Sequence, residues 1–158
     1  MSYLLAGVFE QHDRRCFETT AISFGPDDKS EMRTRVKSSF DTFIDVNDKS
    51  DAYVAQLLRN SEIDIAVDLG GFTKDTRLNI FAMRGAPIQI NYLGYPGTMG
   101  ADYIDYIVAD SFVIPDIQRQ NYSEKVIVLP DAFQANDSKR TINSRTPSRT
   151  EVGLPENA

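Results

Sequence analysis

Apolar positions along the chain alternate between a helical period and short continuous runs. Leu4, Leu5, Val8 and Phe9 recur at helical spacing and predict an amphipathic helix over residues 1–11. Residues 18–25, ETTAISFG, are rich in β-formers and close on Gly25-Pro26, which predicts a strand and a turn. Asp27 or Asp28 is placed to cap a second helix, with Glu31 three residues after Asp28 and with Met32, Val36 and Phe40 in one apolar line. Residues 41–46 read as a short strand. Ser50 then caps a helix running to Asn60, with Val54, Leu57 and Leu58 facing inward.

The densest apolar pattern spans residues 63–100. Two runs, 63–69 and 86–93, are each followed at once by a glycine-bearing turn. Between them lies a helix-compatible segment carrying Leu78, Phe81 and Ala82, with Thr73 or Asp75 as its cap. Runs without clean alternation suit strands covered on both faces, as in a parallel sheet. Residues 103–110 and 125–129 predict further strands, the last stopped by Pro130, with a short helix from Pro115 to Asn121 between them. The expected fold class is therefore α/β, a Rossmann-like, mostly parallel sheet with helices on both faces. A helix that opens such a chain has no strand before it. The sheet's first strand is accordingly expected upstream of Met1.

In open α/β sheets ligands bind beyond the carboxyl ends of the strands. That places the functional loop at Leu93-Gly94-Tyr95-Pro96-Gly97-Thr98, where two glycines let backbone approach a ligand. There is no G-x-x-x-x-G-K and no G-x-G-x-x-G, so neither a P-loop nor a dinucleotide fingerprint is present.

Composition narrows the partners. The 158 residues carry a formal net charge of −6, leaving no basic surplus to replace the counterions of a nucleic acid. No apolar run is long enough to span a bilayer, so no membrane partner is expected. Cys16 is the single cysteine, excluding an internal disulfide and fitting the cytoplasm. It reads as a half-buried filler near a helix end. His12 reads as a helix C-terminal residue. Asp68, at a strand end, is a turn cap and a weak site candidate. Asp64 lies too far along the same strand to pair with it catalytically. Lys74 and Arg77 read as solvated charges beside the Gly70-Gly71 turn. No cluster of metal-ligand residues is visible, and no cofactor is expected. From Asp131 the composition turns polar, with Asn136 to Arg149 reading as a linker.

The run GGFTKDTRLNIFAMRGAPIQINYLGYPGTMGADYIDYIVAD, then NYSEKVIVLP and VGLPENA, resembles the catalytic region of protein O-linked N-acetylglucosamine transferases, especially bacterial, tetratricopeptide-linked and SPINDLY-like relatives. FETTAISFGPDDKSEMR and FIDV extend the resemblance over nearly the whole chain. It implies a GT-B architecture of two Rossmann-like lobes facing a cleft. Residues 1–130 would be the first lobe, truncated at its start, and 131–158 a linker to a C-terminal nucleotide-binding lobe. It also implies a UDP-sugar donor, a protein acceptor and tetratricopeptide repeats in the full-length chain.

The family's histidine before a Ser-x-Leu would precede Met1, since only Ser2-Tyr3-Leu4 of that motif is present. No catalytic residue is expected within the chain. Leu93, Gly94, Tyr95 and Pro96 match a family segment at the cleft, close to the donor sugar, and Gly97 and Thr98 complete the substrate-binding set. A side chain added at Gly94 is expected to project into that cleft. The activity implied is inverting transfer of N-acetylglucosamine from UDP-N-acetylglucosamine to Ser or Thr hydroxyls. A non-catalytic scaffold of the same fold, a transferase using another nucleotide sugar, and a different GT-B enzyme such as an epimerase remain open.

Overall fold

The computed structural model describes residues 1–157, and among them are six strands and four α-helices. In chain order these are α1 (Ser2–Glu10), β1 (Thr20–Ser23), α2 (Glu31–Ser38), β2 (Thr42–Asp45), α3 (Asp51–Asn60), β3 (Ile65–Asp68), α4 (Asn79–Ala82), β4 (Ile88–Tyr92), β5 (Tyr106–Asp110) and β6 (Lys125–Leu129). A 3₁₀ segment, Asp116–Asn121, lies between β5 and β6. Every strand pairing is parallel. The strands form two sheets, β1-β2 and β3-β4-β5-β6.

The helix ends follow side-chain chemistry. At α3, Ser50 Oγ accepts from the Tyr53 N–H at 3.2 Å, as its position before an apolar-periodic run requires. At α2 the cap is Ser30, not Asp27 or Asp28: its Oγ accepts from the Arg33 N–H at 3.1 Å. The two aspartates instead hold the preceding turn, accepting from the Lys29 and Ser30 N–H groups. The expected helix after β3 shortens to four residues, with no side-chain cap. Thr73 donates to the Gly70 carbonyl at 2.9 Å and Asp75 is left-handed at φ 62°, so both belong to the turn.

Two apolar clusters hold the layers together. Val46, Val54, Leu58 and Ile80 are buried, with Ile22 and Ile44 of β1 and β2 packed against them. Each such side chain contributes about 1.5–3 kcal/mol on leaving water. Gln89 Nε2 donates to the Phe81 carbonyl at 2.8 Å, which seats α4 on the same face of the larger sheet. Ile107, Ala109 and Ile114 form the second cluster, with Val113, Tyr122 and Val126 packed against it. On the other face, α2 lies over Phe43, with Arg33 and Lys37 above its ring. α1 packs there through Phe9 against Phe40, just past the end of α2, at 4.8 Å between centroids.

The expectation that β3 is covered on both faces does not hold. Its pattern alternates, with Ala66 and Asp68 buried while Ile65 and Val67 are 50% and 47% exposed. Cys16 is exposed rather than half-buried, its thiol 3.8 Å from Asp13. His12 sits at the C-terminal end of α1, with Nδ1 3.0 Å from the Val8 carbonyl oxygen.

Packing continues beyond the composition change at Asp131. The Phe133 N–H donates to Asp110 Oδ2 at 2.8 Å, and the Tyr92 hydroxyl donates to the Phe133 carbonyl at 2.7 Å. Asp137 is buried and takes two hydrogen bonds from Arg35, at 2.6 and 3.0 Å. Arg35 also bridges to Glu10 at 2.8 Å, so α1, α2 and residues 133–139 share one ionic knot.

Candidate functional site

Within each sheet the strands run in one direction, so the carboxyl ends of β3, β4, β5 and β6 gather on one edge. Two turns dominate that edge. After β3 the chain bends through Asp68, Leu69, Gly70 and Gly71. The buried Asp68 carboxylate accepts from Gly70 N at 2.9 Å and Gly71 N at 3.0 Å. With both oxygens committed, Asp68 is the cap that shapes the turn. Gly71 has φ +58°, and a Cβ there would lie 2.4 Å from the Tyr95 Cβ.

The second turn follows β4. Leu93 is buried and left-handed at φ 71°, a conformation a non-glycine residue takes at a cost of about 1–2 kcal/mol. This reversal drives Gly94 against the first turn. A Cβ at Gly94 would meet the Leu69 carbonyl oxygen at 2.2 Å and that of Gly70 at 2.9 Å. The expectation for Gly94 is therefore corrected: the missing side chain makes room for neighbouring backbone, not for an open cleft. Asn91, fully buried on β4, donates from Nδ2 to the Tyr95 carbonyl at 2.8 Å and fixes the loop from beneath.

The rest of the loop is braced from β6's approach. Pro96 is exposed, and its carbonyl accepts from the Tyr122 hydroxyl at 3.1 Å. Thr98 donates from Oγ1 to Glu124 Oε2 at 2.8 Å, and Met99 N–H donates to Glu124 Oε1 at 2.6 Å. Glu124 is buried. Burial first, then the nearby Glu124 and Tyr95, pushes the Tyr122 phenol above its ordinary pKa, so it stays a neutral donor at neutral pH. The Tyr95 ring stands edge-on to the exposed Phe72 at 5.4 Å. Gly97 lies under that ring, where a Cβ would come within 2.9 Å of its outer atoms. Among the described residues, the N–H groups of Tyr95, Gly97 and Thr98 meet no protein acceptor. The turn thus offers an aromatic wall and backbone donors on a rigid base.

Structure therefore brings Leu93 to Thr98 together as one braced loop against the Gly70-Gly71 turn. Lys74 and Arg77 lie together on a different hollow. Arg77 is consumed by Asp51 at 2.7 Å and by the Val46 and Lys49 carbonyls. Lys74 borders an open hollow of about 660 Å³ near the ends of β1 and β2, which Phe24 and Lys49 also line. Three supports escaped sequence reasoning: Asn91, Tyr122 and Glu124. Asn91 carried a legible signal, a polar residue inside an apolar strand. Glu124 and Tyr122 are brought to the loop by the β5-to-β6 crossover, which spacing does not reveal. Among the described residues no group of three or more His, Cys, Asp or Glu is placed to hold a metal ion, and no helix is long and apolar enough to cross a membrane.

Comparisons with known proteins place the chain in a family. The profile described as glycosyl transferase family 41 matches residues 1–150. The chain is 40% identical, over 99% of its length, to a probable UDP-N-acetylglucosamine–peptide N-acetylglucosaminyltransferase, SEC, of Arabidopsis thaliana. It is 30% identical over 84% of its length to the SPINDLY protein of the same plant, which carries the same enzyme name. Among solved structures, a Thermobaculum terrenum O-GlcNAc transferase variant superposes with a TM-score of 0.79 at 32% identity over 84% of the chain. The chain spans only 16% and 15% of the two plant proteins and 25% of the solved one. A parallel α/β fold shared with that transferase and a family profile matched almost from end to end lead to one conclusion: this chain belongs to glycosyl transferase family 41.

Proposed function

We propose that this chain is part of the catalytic region of a protein O-GlcNAc transferase and supplies the acceptor-side wall of its cleft. The donor is UDP-N-acetylglucosamine and the acceptor a Ser or Thr hydroxyl of a protein. The observation that carries this reading is the 40% identity to the SEC transferase across 99% of the chain. The braced Leu93 to Thr98 loop supports it, because free backbone donors beside an aromatic ring suit a hydroxyl-rich sugar.

Sugar transfer needs an aligned acceptor oxygen, removal of its proton and neutralisation of the departing diphosphate. In this reading Leu93, Gly94 and Asn91 keep the loop at fixed height. Tyr95 and Pro96 shape the wall, and the N–H groups of Gly97 and Thr98 face the donor side. Diphosphate neutralisation and proton removal fall to the rest of the full-length protein. That remainder comprises a C-terminal nucleotide-binding lobe, reached through residues 131–158, and tetratricopeptide repeats. The assembled enzyme works in the cytoplasm and uses no cofactor.

The test is a chimera in which residues 1–158 replace the matched segment of the SEC transferase. A folded chimera should transfer N-acetylglucosamine from UDP-N-acetylglucosamine to an acceptor peptide. A folded chimera that binds the sugar nucleotide but transfers nothing would instead make this chain a scaffold.

A further inference from the structure

Two buried side-chain atoms among the described residues have no hydrogen-bond partner, Gln89 Oε1 and Asn91 Oδ1. Both residues are fully buried on β4. Gln89 Nε2 is already bonded to two carbonyls, those of Phe81 and Tyr103. Asn91 differs, because it lies directly beneath the Leu93 to Thr98 loop and bonds to it only once.

The orientation of the Asn91 amide is set by chemistry. Nδ2 donates to the Tyr95 carbonyl at 2.8 Å, and turning the group over would set two oxygens face to face. Oδ1 therefore points past that carbonyl, toward Gly71. The place a Gly71 Cβ would take is 3.5 Å from Oδ1 and 2.4 Å from the Tyr95 Cβ, so the unpaired oxygen and the Tyr95 main chain converge on one small space. The neighbouring strands supply no donor there. Asp68, opposite Asn91 on β3, is fully engaged by the Gly70 and Gly71 N–H groups, and the neighbour on β5 is Ile107. The Tyr95 N–H, on the residue that Asn91 already holds, meets no acceptor. A buried acceptor and a nearby donor are thus both unpaired, and one rotation would join them.

Gly94 makes that rotation possible. Turning the Gly94–Tyr95 peptide about its flanking bonds shifts neither Cα, so Gly94 keeps its contact with Leu69 and its N–H stays on the Tyr92 carbonyl. A glycine at this position accepts both orientations. The N–H and C=O of a trans peptide point opposite ways, so bringing the Tyr95 N–H onto Oδ1 sends the Gly94 carbonyl outward, to the strand-end edge. No backbone N–H holds that carbonyl in the present state.

We propose that Asn91 is a positioning residue that latches the loop in a second state, gripping both the N–H and the C=O of Tyr95 when a hydroxyl-bearing ligand draws the Gly94 carbonyl outward. The ligand favours this state through contacts it makes only there. Its identity rests on the transferase reading, whereas the latch rests on the geometry beneath the loop.

Exchange at single amides in the SEC chimera tests it, with UDP alone and with UDP-N-acetylglucosamine. The nucleotide sugar should slow the Tyr95 amide by about 10-fold, roughly the weight of one added hydrogen bond, and UDP alone should not. Asn91→Leu is similar in size and cannot accept. In it the Tyr95 slowing should vanish while that of Gly97 and Thr98 persists, and KM for UDP-N-acetylglucosamine should rise about 3- to 10-fold with kcat little changed. A purely structural Asn91 would lower stability without this selective loss at one amide. Four results would overturn the latch: a Tyr95 amide already slow without nucleotide, one that stays fast while saturating nucleotide sugar protects the rest of the loop, equal slowing by UDP alone, or slowing that survives Asn91→Leu. Should Asn91→Leu fail to fold, the comparison of UDP with UDP-N-acetylglucosamine on the unmodified chimera decides. A chimera that binds the nucleotide sugar without transferring it refutes the transferase reading and leaves the Tyr95 measurement in force.

Discussion

Replacing Gly94 by alanine isolates the contact that joins the two turns. The added Cβ would sit 2.2 Å from the Leu69 carbonyl oxygen, whereas ordinary contact begins near 3.4 Å. The neighbouring atoms are backbone, so no side chain can swing aside, and the loop must retreat by about 1 Å. Overpacking of a tight site costs about 1–3 kcal/mol, and the rigid surroundings favour the upper end. With a urea m-value of about 2 kcal/mol/M, the unfolding midpoint should fall by roughly 1–1.5 M. Gly100→Ala serves as the control. Gly100 also has a left-handed backbone, φ +59°, but nothing lies within 4 Å of its Cβ position, so only the conformational cost of about 1 kcal/mol applies. Urea titrations followed by circular dichroism measure both. A Gly94→Ala protein as stable as the parent, or less affected than Gly100→Ala, would refute the close packing of the two turns.

Three further outcomes are expected. Asp68→Ala strips the cap from the Gly70 and Gly71 N–H groups and should destabilise the chain by about 1–3 kcal/mol in the same titration, with an unchanged midpoint as the contrary result. Hydrogen bonds from Arg35 and Lys139 hold Glu10 at about 2 instead of 4.5, and those from Arg35 hold Asp137 at about 2 instead of 3.8. Depressed carboxylates stabilise the fold above their ordinary values and lose that contribution as pH falls toward about 2; Arg35→Met should flatten this acid limb, and parallel pH profiles for parent and variant would contradict the knot. The 158 residues alone should show no transfer from UDP-N-acetylglucosamine in a labelled-sugar assay, because they span a quarter or less of the relatives they match; turnover above background would disprove this.

Much of the fold was legible because periodicity and punctuation agreed. Leu4, Leu5, Val8 and Phe9 mark α1, Ser50 marks the start of α3, and Pro130 stops β6, each through a local rule. The errors came where a choice depended on residues distant in sequence. Asp28 and Ser30 are both competent caps, and the backbone chose Ser30 because Asp28 was already bonded to the turn before it. The run 63–69 looked doubly covered, but Ile65 and Val67 point to an open face of the sheet while Ala66 and Asp68 point to the buried one.

The candidate loop's geometry was half legible. Its position after β4 followed from glycine placement beside an apolar strand. The reason for Gly94 did not, because Leu69 and Gly70 reach it only through the parallel pairing of β3 with β4. The turn-cap reading of Asp68 was sound for the same reason that caps are generally readable: its partners are two and three residues away. Glu124 is 26 residues from Thr98 in sequence, and no spacing rule connects a carboxylate to a hydroxyl across a β5–β6 crossover.

On the proposed function, the loop from Leu93 to Thr98 borders the sugar-nucleotide cleft. Amide exchange of the SEC chimera with and without UDP-N-acetylglucosamine tests this most directly. The account predicts slowed exchange at Tyr95, Gly97 and Thr98 on adding the nucleotide sugar, with Gly94 unchanged because its N–H already donates to the Tyr92 carbonyl. Saturating UDP-N-acetylglucosamine that protects other parts of the chimera while leaving all three amides unaltered would contradict it.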